Sequence, residues 1–446
     1  MIMKTPRLIG LVVLLSTVAV VHAEPARPGP FPLRDGDLWV MAGDSITAQH
    51  LHSNYFEAFC FARYPEIKFS FRNSGVGGHT IPTTLARFDY DIGGWNPTVV
   101  SVELGMNDKG GTPTEKFVTN METMVGRIRG IKARPVLFAA SPVNNGDTLA
   151  KLGGNQRLHD YAVALKDYAA KEQIPFADQF HLLLDLWGAN KPRENLANAV
   201  SALKALAADD SVAGVEHLRS FLLAQERSAT KPVSMQGDPV HPGPPGQLMM
   251  AAALLKDLGA DGFVSSVSID PELRVDHKGC RVENVRSEGG TISFDRWDER
   301  LPFPIPDEAR PVVAFYPTIL ELSQYTLRVS GLKNPSYVLK LNSVQTAVLT
   351  AKELEAGVNL TSFGAAPSSK EVNPVVAQMR AILAAVATKE ALVGQWRSLS
   401  QKAHAAGADP GLREQLGALT RKVEEEDAKI REAAKPQKLH VEIQPQ

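Results

Sequence analysis

Cysteine is almost missing from this chain: 446 residues contain two, Cys60 in an aromatic helical stretch and Cys280 far downstream. At most one disulfide is available, and two separate buried thiols is the expected state, because free cysteine is among the most often buried residue types. An excess of charge is missing too. The 48 basic and 49 acidic residues nearly cancel, which points away from nucleic acid or any other polyanion as a partner. No internal repeat is visible, and no Pro-, Gly- or Ser-rich spacer divides the chain into tethered modules. The longest apolar run, Leu8–Val21, falls short of the roughly 20 residues that a spanning helix needs.

That run follows Lys4 and Arg7 and precedes Val21-His22-Ala23, the pattern of an export signal with a small-residue cleavage site. Residues 1–23 are therefore expected to be removed, giving an exported, periplasmic or secreted protein without stable membrane insertion. An uncleaved anchor is the alternative. Removal leaves 46 basic against 49 acidic residues, a formal charge of about −3, too little to steer a highly charged substrate.

From Asp37 to about Leu258 short apolar runs alternate with longer amphipathic ones, as in an α/β layered domain. The runs Leu38–Ala42, Lys68–Arg72, Val99–Leu104, Pro135–Ala140 and Ile174–Ala177 are rich in Val, Ile, Leu or Phe, as parallel strands covered on both faces should be. Helical patterns fall at Ser53–Ala62, Thr114–Ile131, Asn155–Lys171 and Gly246–Leu258, the last preceded by two prolines that suit a helix start. Residues 191–230 read as inserted helices, either a lid over the site or a solvated decoration. After about Ser265 alternating segments (Thr291–Phe294, Tyr325–Val329, Tyr337–Leu341) indicate an antiparallel β module. Helical texture runs from Pro374 to about Ala434 with a break at 407–411, and Leu439, Val441 and Ile443 alternate with polar residues, so the chain end is expected to return as a strand. The expected division is a domain over 24–262, a β-rich module over 263–372 and a helical region over 373–446, docked together.

Four short blocks carry chemistry. Gly43-Asp44-Ser45 ends the first strand, at the edge where open α/β sheets bind ligands. Asn73-Ser74-Gly75-Val76-Gly77-Gly78-His79-Thr80 follows the second strand, with glycines that let backbone N–H groups approach a ligand. Gly105-Met106-Asn107-Asp108 follows the third. In Asp238-Pro239-Val240-His241 the proline keeps Asp238 out of the helical region, so that side chains three apart can converge. No further His, Cys, Asp or Glu stands beside that pair at the spacing a zinc site requires.

In these four blocks, found in this order, the sequence resembles the SGNH (GDSL-type) hydrolases. The resemblance covers roughly residues 37–260. It implies a flavodoxin-like three-layer α/β/α domain, acyl-ester hydrolysis and no cofactor. Ser45 would be the nucleophile, His241 its base and Asp238 the orienting carboxylate. The backbone N–H groups of Ser45 and Gly78 and the amide of Asn107 would form the oxyanion hole, although Gly75 and Gly77 compete with Gly78 for that place. The chemistry agrees, since a serine hydroxyl needs a base in reach and its tetrahedral adduct needs donors for one oxyanion. Asp44 and Asp108 read as turn carboxylates. His50, His52 and His79 read as partly exposed loop histidines that could touch substrate. Trp95, Trp187 and Trp396 read as core or interface anchors rather than sugar platforms. An ester on carbohydrate, with an acetyl group foremost, is the expected substrate. Lipid or thioester acyl groups are the alternative within enzymes, and a silent carbohydrate-binding or envelope scaffold is the alternative outside them.

Overall fold

The computed structural model describes residues 30–190, 203–219, 222, 233–364 and 372–446. The expected export signal and most of the 191–230 segment lie outside the described residues, apart from helical turns within 203–219.

Strands β1 (Asp37–Gly43), β2 (Phe69–Gly75), β3 (Val99–Glu103), β4 (Arg134–Phe138) and β5 (Phe176–Ala177) form one parallel sheet in the order β2-β1-β3-β4-β5. Each expected strand is present with ends moved by a few residues. All five residues of β3 are buried, as continuous apolar runs between helices should be. Helix His52–Arg63 packs on helix Pro244–Asp257, and helix Thr114–Gly130 on helix Gln156–Lys171. A further helix, Gln179–Ala189, was not apparent in the sequence. Because all strands are parallel, their carboxyl ends lie on one side, and Gly43, Gly75 and Glu103 close β1, β2 and β3 there in register.

Beyond residue 262 the chain builds two smaller sheets. Strands β6 (Phe263–Ile269), β7 (Val275–Lys278), β10 (Gln324–Val329) and β13 (Val358–Asn359) pair in the order β13-β10-β6-β7. Strands β8 (Cys280–Glu288), β9 (Thr291–Asp298), β11 (Ser336–Leu341), β12 (Val344–Thr350) and β14 (Lys438–Pro445) pair in the order β12-β11-β14-β9-β8. The expectation of a purely antiparallel module needs correction, since β10 runs parallel to β6. Between them the chain crosses through the first domain's core, where Phe303, Ile305, Val312 and Ile319 are buried, and this crossover leaves β10 beside β6 in the same direction. The chain end does return as a strand: β14 inserts between β11 and β9 and buries Leu439, Val441 and Ile443. Cys60 and Cys280 are separate buried thiols.

Before returning, the chain forms a hairpin of two long helices, Pro374–His404 and Gly411–Ala433, laid along β2. Strand β2 is the sheet edge, and an edge strand presents unpaired backbone groups at every second residue. Here the hairpin meets them with side chains. Arg431 donates to Ile67 O (3.0 Å) and Phe69 O (2.8 Å), Lys389 to Phe71 O (2.8 Å) and Arg397 to Gly75 O (2.9 Å), while Glu390 accepts from Asn73 N (3.3 Å). Arg72 points the same way and holds Asp427 through two bonds of 3.0 and 2.7 Å. Trp396 stacks on Trp95 with centroids 3.6 Å apart. At the other junction, buried Arg63 donates to the carbonyls of Asp261, Phe263 and Leu322 at 2.8–3.0 Å. The C-terminal segments are thus docked on the parallel-sheet domain. Among the described residues no helix is long and apolar enough to cross a membrane.

Candidate active site

Strand β1 delivers Gly43-Asp44-Ser45 into the short helix Ser45–Ala48, whose first residue is Ser45. Gly43 has no room for a side chain, since a Cβ there would lie 2.0 Å from Thr47 Oγ1. Asp44 caps the helix by accepting from Ile46 N at 2.9 Å. Gly75 lets the end of β2 pass against the same turn, where a Cβ would come 2.4 Å from Ala48 N. Asn73 ties the two together, donating to Thr47 O (2.7 Å) and Ser53 Oγ (2.8 Å).

Ser45 Oγ lies 2.7 Å from His241 Nε2, and His241 Nδ1 lies 3.0 Å from Asp238 Oδ2. The other oxygen of Asp238 accepts from Val240 N (2.7 Å) and His241 N (2.8 Å). These bonds, the two from backbone His241 and its ring ahead of that from Val240, hold the Asp238 carboxyl below its ordinary pKa. The loop is a tight turn in which Asp238 N donates back to His241 O at 3.2 Å and Gly237 adopts φ +66°. A Cβ on Gly237 would lie 2.1 Å from His241 O, a local signal for the turn that the sequence offered just ahead of the Asp-x-x-His block.

The remaining blocks converge beside the serine. Gly77 faces Ser45, with its Cβ position 3.9 Å from Ser45 Cβ, and Gly78 takes φ +75°, which favours glycine. Among the described residues neither Ser45 N–H nor Gly78 N–H has an acceptor. Asn107 Nδ2 donates to His79 O at 3.0 Å and stands 3.4 Å from Asp44 Oδ2. The amide therefore bridges the first and second blocks, with its longer contact the one more easily exchanged. Asp108 accepts from Ile81 N at 3.2 Å and so pins the third block to the helix that follows the second.

Beneath the serine lies a polar network that the sequence did not reveal. His52, expected to be partly exposed, is fully buried: its Nε2 is 2.9 Å from Glu103 Oε2 and its Nδ1 3.0 Å from Gln247 Oε1. The reason is the β1–β3 register, which sets Glu103 level with Gly43 under the first turn of helix His52–Arg63. Gln247 also donates to Pro242 O (3.0 Å) and Gln49 Oε1 (2.6 Å), so the His241 loop is braced from the serine side. Burial, followed by the Glu103 charge, pushes the Asp44 carboxyl up to about 7 against the cap bond from Ile46. His50 is half-buried, 3.6 Å from Glu390, and His79 is half-buried with its Nδ1 facing Arg87 Nε at 3.2 Å. Trp95, Trp187 and Trp396 are buried.

With this geometry in view, residues 41–248 match the model of the GDSL-like lipase/acylhydrolase family. The domain they form belongs to that family and is of the carboxylic ester hydrolase class. Among solved structures the chain is similar to a gut microbial diltiazem-metabolizing enzyme, at 21% identity and TM-score 0.69, covering 95% of this chain and 100% of that one. An acetylxylan esterase from Geobacillus stearothermophilus aligns at 18% identity and TM-score 0.37, over 50% of this chain and 95% of its own. No curated protein matches the sequence. The likeness to the first of these spans the C-terminal sheets and helices as well, so it concerns the fold of the whole assembly.

Proposed function

We propose that this protein is an exported serine esterase that cleaves acyl esters, foremost O-acetyl groups on carbohydrate, through an acyl-Ser45 intermediate. The observation that carries the proposal is the continuous line Ser45 Oγ, His241, Asp238, with contacts of 2.7 and 3.0 Å. In that arrangement His241 takes the Ser45 proton as the oxygen attacks the ester carbonyl. Asp238 keeps the imidazole proton on Nδ1 and balances the charge of the imidazolium. The oxyanion is received by the unpaired N–H groups of Ser45 and Gly78, and by Asn107 once its longer contact to Asp44 exchanges for the new charge. His241 then protonates the departing alcohol, and water, activated the same way, frees the enzyme. We place the helix pairs on opposite faces of the sheet, as a three-layer domain. Export rests on the N-terminal pattern of Lys4, Arg7 and the Leu8–Val21 run.

The test is hydrolysis of aryl esters of increasing acyl length and of acetylated polysaccharides, by the purified protein and by Ser45→Ala. Acetyl esters should be cleaved fastest, and Ser45→Ala should lower kcat by about 10⁴ or more. Activity of the variant within tenfold of the parent would remove Ser45 from the reaction, and a preference for long acyl chains would move the substrate to lipid.

A further inference from the structure

The second block does more than face Ser45. On its flank, between the His79 loop and helix Pro374–His404, lies a cavity of about 330 Å³, within the size range of small-ligand sites. Its polar wall is made by His79, Arg87, Asp91, Arg397, Ser398 and Gln401. Arg87 is spent internally: its nitrogens bond His79 Nδ1, Ser74 Oγ, Asp91, Ser74 O and Gly43 O. Asp91 is spent as well, accepting from Arg87, Ser74 and Arg397. Arg397 is not. Its guanidinium uses Nε and one N–H of Nη2 on Asp91 and one of Nη1 on Gly75 O, which leaves two of its five N–H groups. Two guanidinium groups against one carboxylate give the wall a net positive charge. Because Arg87 Nε–H donates to His79 Nδ1, neutral His79 carries its proton on Nε2 and adds a donor.

We infer that this cavity is a subsite for a carboxylate carried by the ester substrate, held by Arg397 from the C-terminal helix and His79 from the oxyanion loop. A carboxylate supplies acceptors only, and an arginine with two free N–H groups suits it. The inference rests on the esterase reading of Ser45. Its place against Val76 and His79, the residues on either side of Gly77 and Gly78, admits a carboxylate on the alcohol part, as in an acetylated uronic acid, or on the acyl part, as in a dicarboxylic half ester. It also gives the helical hairpin a share in choosing the substrate.

The experiment compares kcat/KM for acetylated oligogalacturonides with that for acetylated xylo-oligosaccharides, and 4-nitrophenyl hemisuccinate with 4-nitrophenyl acetate. The acidic member of one pair should be favoured tenfold or more, and which pair shows it assigns the alcohol or acyl side. Ser398→Glu and Gln401→Glu, at exposed helix positions, should reduce that ratio at least tenfold, because each sets a like charge before the bound carboxylate. Ratios near one in both pairs, or ratios unchanged in both variants, would overturn the subsite. Calorimetric titration of galacturonate, succinate and xylose into the Ser45→Ala protein separates the two readings. Failure to hydrolyse any ester overturns the esterase reading, yet tighter binding of a carboxylate than of xylose would still support the subsite, and equal binding of all three would overturn it.

Discussion

Replacing Lys389 by methionine should loosen the hairpin from the sheet edge, and the effect can be sized from its surroundings. The Lys389 side chain is buried, with Nζ 2.8 Å from Glu57 Oε2 and 2.8 Å from Phe71 O, and it pairs with Glu390. Burial opposes its charge, but Glu390 and then Glu57 outweigh burial, and its pKa is raised. Burial also pushes Glu57 up to about 8 against the pull of Lys389. Methionine keeps the apolar stem and deletes the cation. Glu57 Oε2 is left without a partner, and Glu390 keeps only Asn73 N at 3.3 Å and His50 at 3.6 Å. Removing one partner of a buried ion pair costs about 3–5 kcal/mol. Without the ammonium, Glu57 holds its proton to still higher pH in the folded state than in the unfolded chain. The penalty should therefore grow slightly with pH, by no more than about 0.4 kcal/mol between pH 5 and pH 8, because a carboxyl that ionises at about 8 in the parent is only half ionised there. Urea unfolding followed by tryptophan fluorescence is the assay, since Trp95 and Trp396 stack across this interface. Adding Glu390→Gln should recover part of the loss, because the two sites share one interaction. A cost below about 1 kcal/mol at both pH values, or a larger cost at pH 5, would refute the reasoning.

Asn107→Ala should lower kcat by about 10² to 10³ with a smaller change in KM, as loss of an oxyanion donor does; a pure KM effect in steady-state kinetics would make the amide a substrate contact instead. Asp44 ionises near 7 when folded and near 3.8 in its ordinary state, so the folded protein binds this proton more tightly. Its contribution is full below pH 3.8 and is lost as pH rises toward 7. Asp44→Asn should therefore gain stability relative to the parent between pH 4 and 8, by on the order of 4 kcal/mol in urea titrations, and a parallel pH profile would count against it. Truncation to residues 24–262 should give an aggregating or poorly active protein, because it bares the backbone edge of β2 and the apolar surface under residues 303–322. A soluble, monomeric and fully active fragment in sizing and aryl-ester assays would show those contacts to be dispensable.

The parallel sheet and the four blocks were legible because each depends on local sequence. Continuous Val, Ile and Leu runs such as Val99–Val102 mark doubly covered strands, and the residue at the end of such a strand stands at the sheet's carboxyl edge whatever the rest of the chain does. The Asp238–His241 turn is equally local, since Pro239 and Gly237 leave its backbone few alternatives. Helix Gln179–Ala189 is poorly marked in the sequence for a related reason: Phe180, Leu183, Leu184 and Trp187 are apolar at helical spacing, but the segment follows a two-residue strand with little to mark its start.

What the sequence by itself determined is the set of pieces: a strand ending in Ser45, a glycine loop, Asn107 after a third strand, and a turn pairing Asp238 with His241. What only the tertiary structure decided is which distant charges meet. His52 lies on Glu103 because of the β1–β3 register, Asp44 is raised to about 7 because that packing removes its water, and Arg397 reaches Gly75 O from 322 residues away. Lys389, Glu390, Arg397, Asp427 and Arg431 lie within the helical texture that the sequence shows from Pro374 to about Ala434. They become buried or half-buried partners of β2 only because an edge strand must have its N–H and C=O groups satisfied, and no periodicity along one helix reveals which strand will present them.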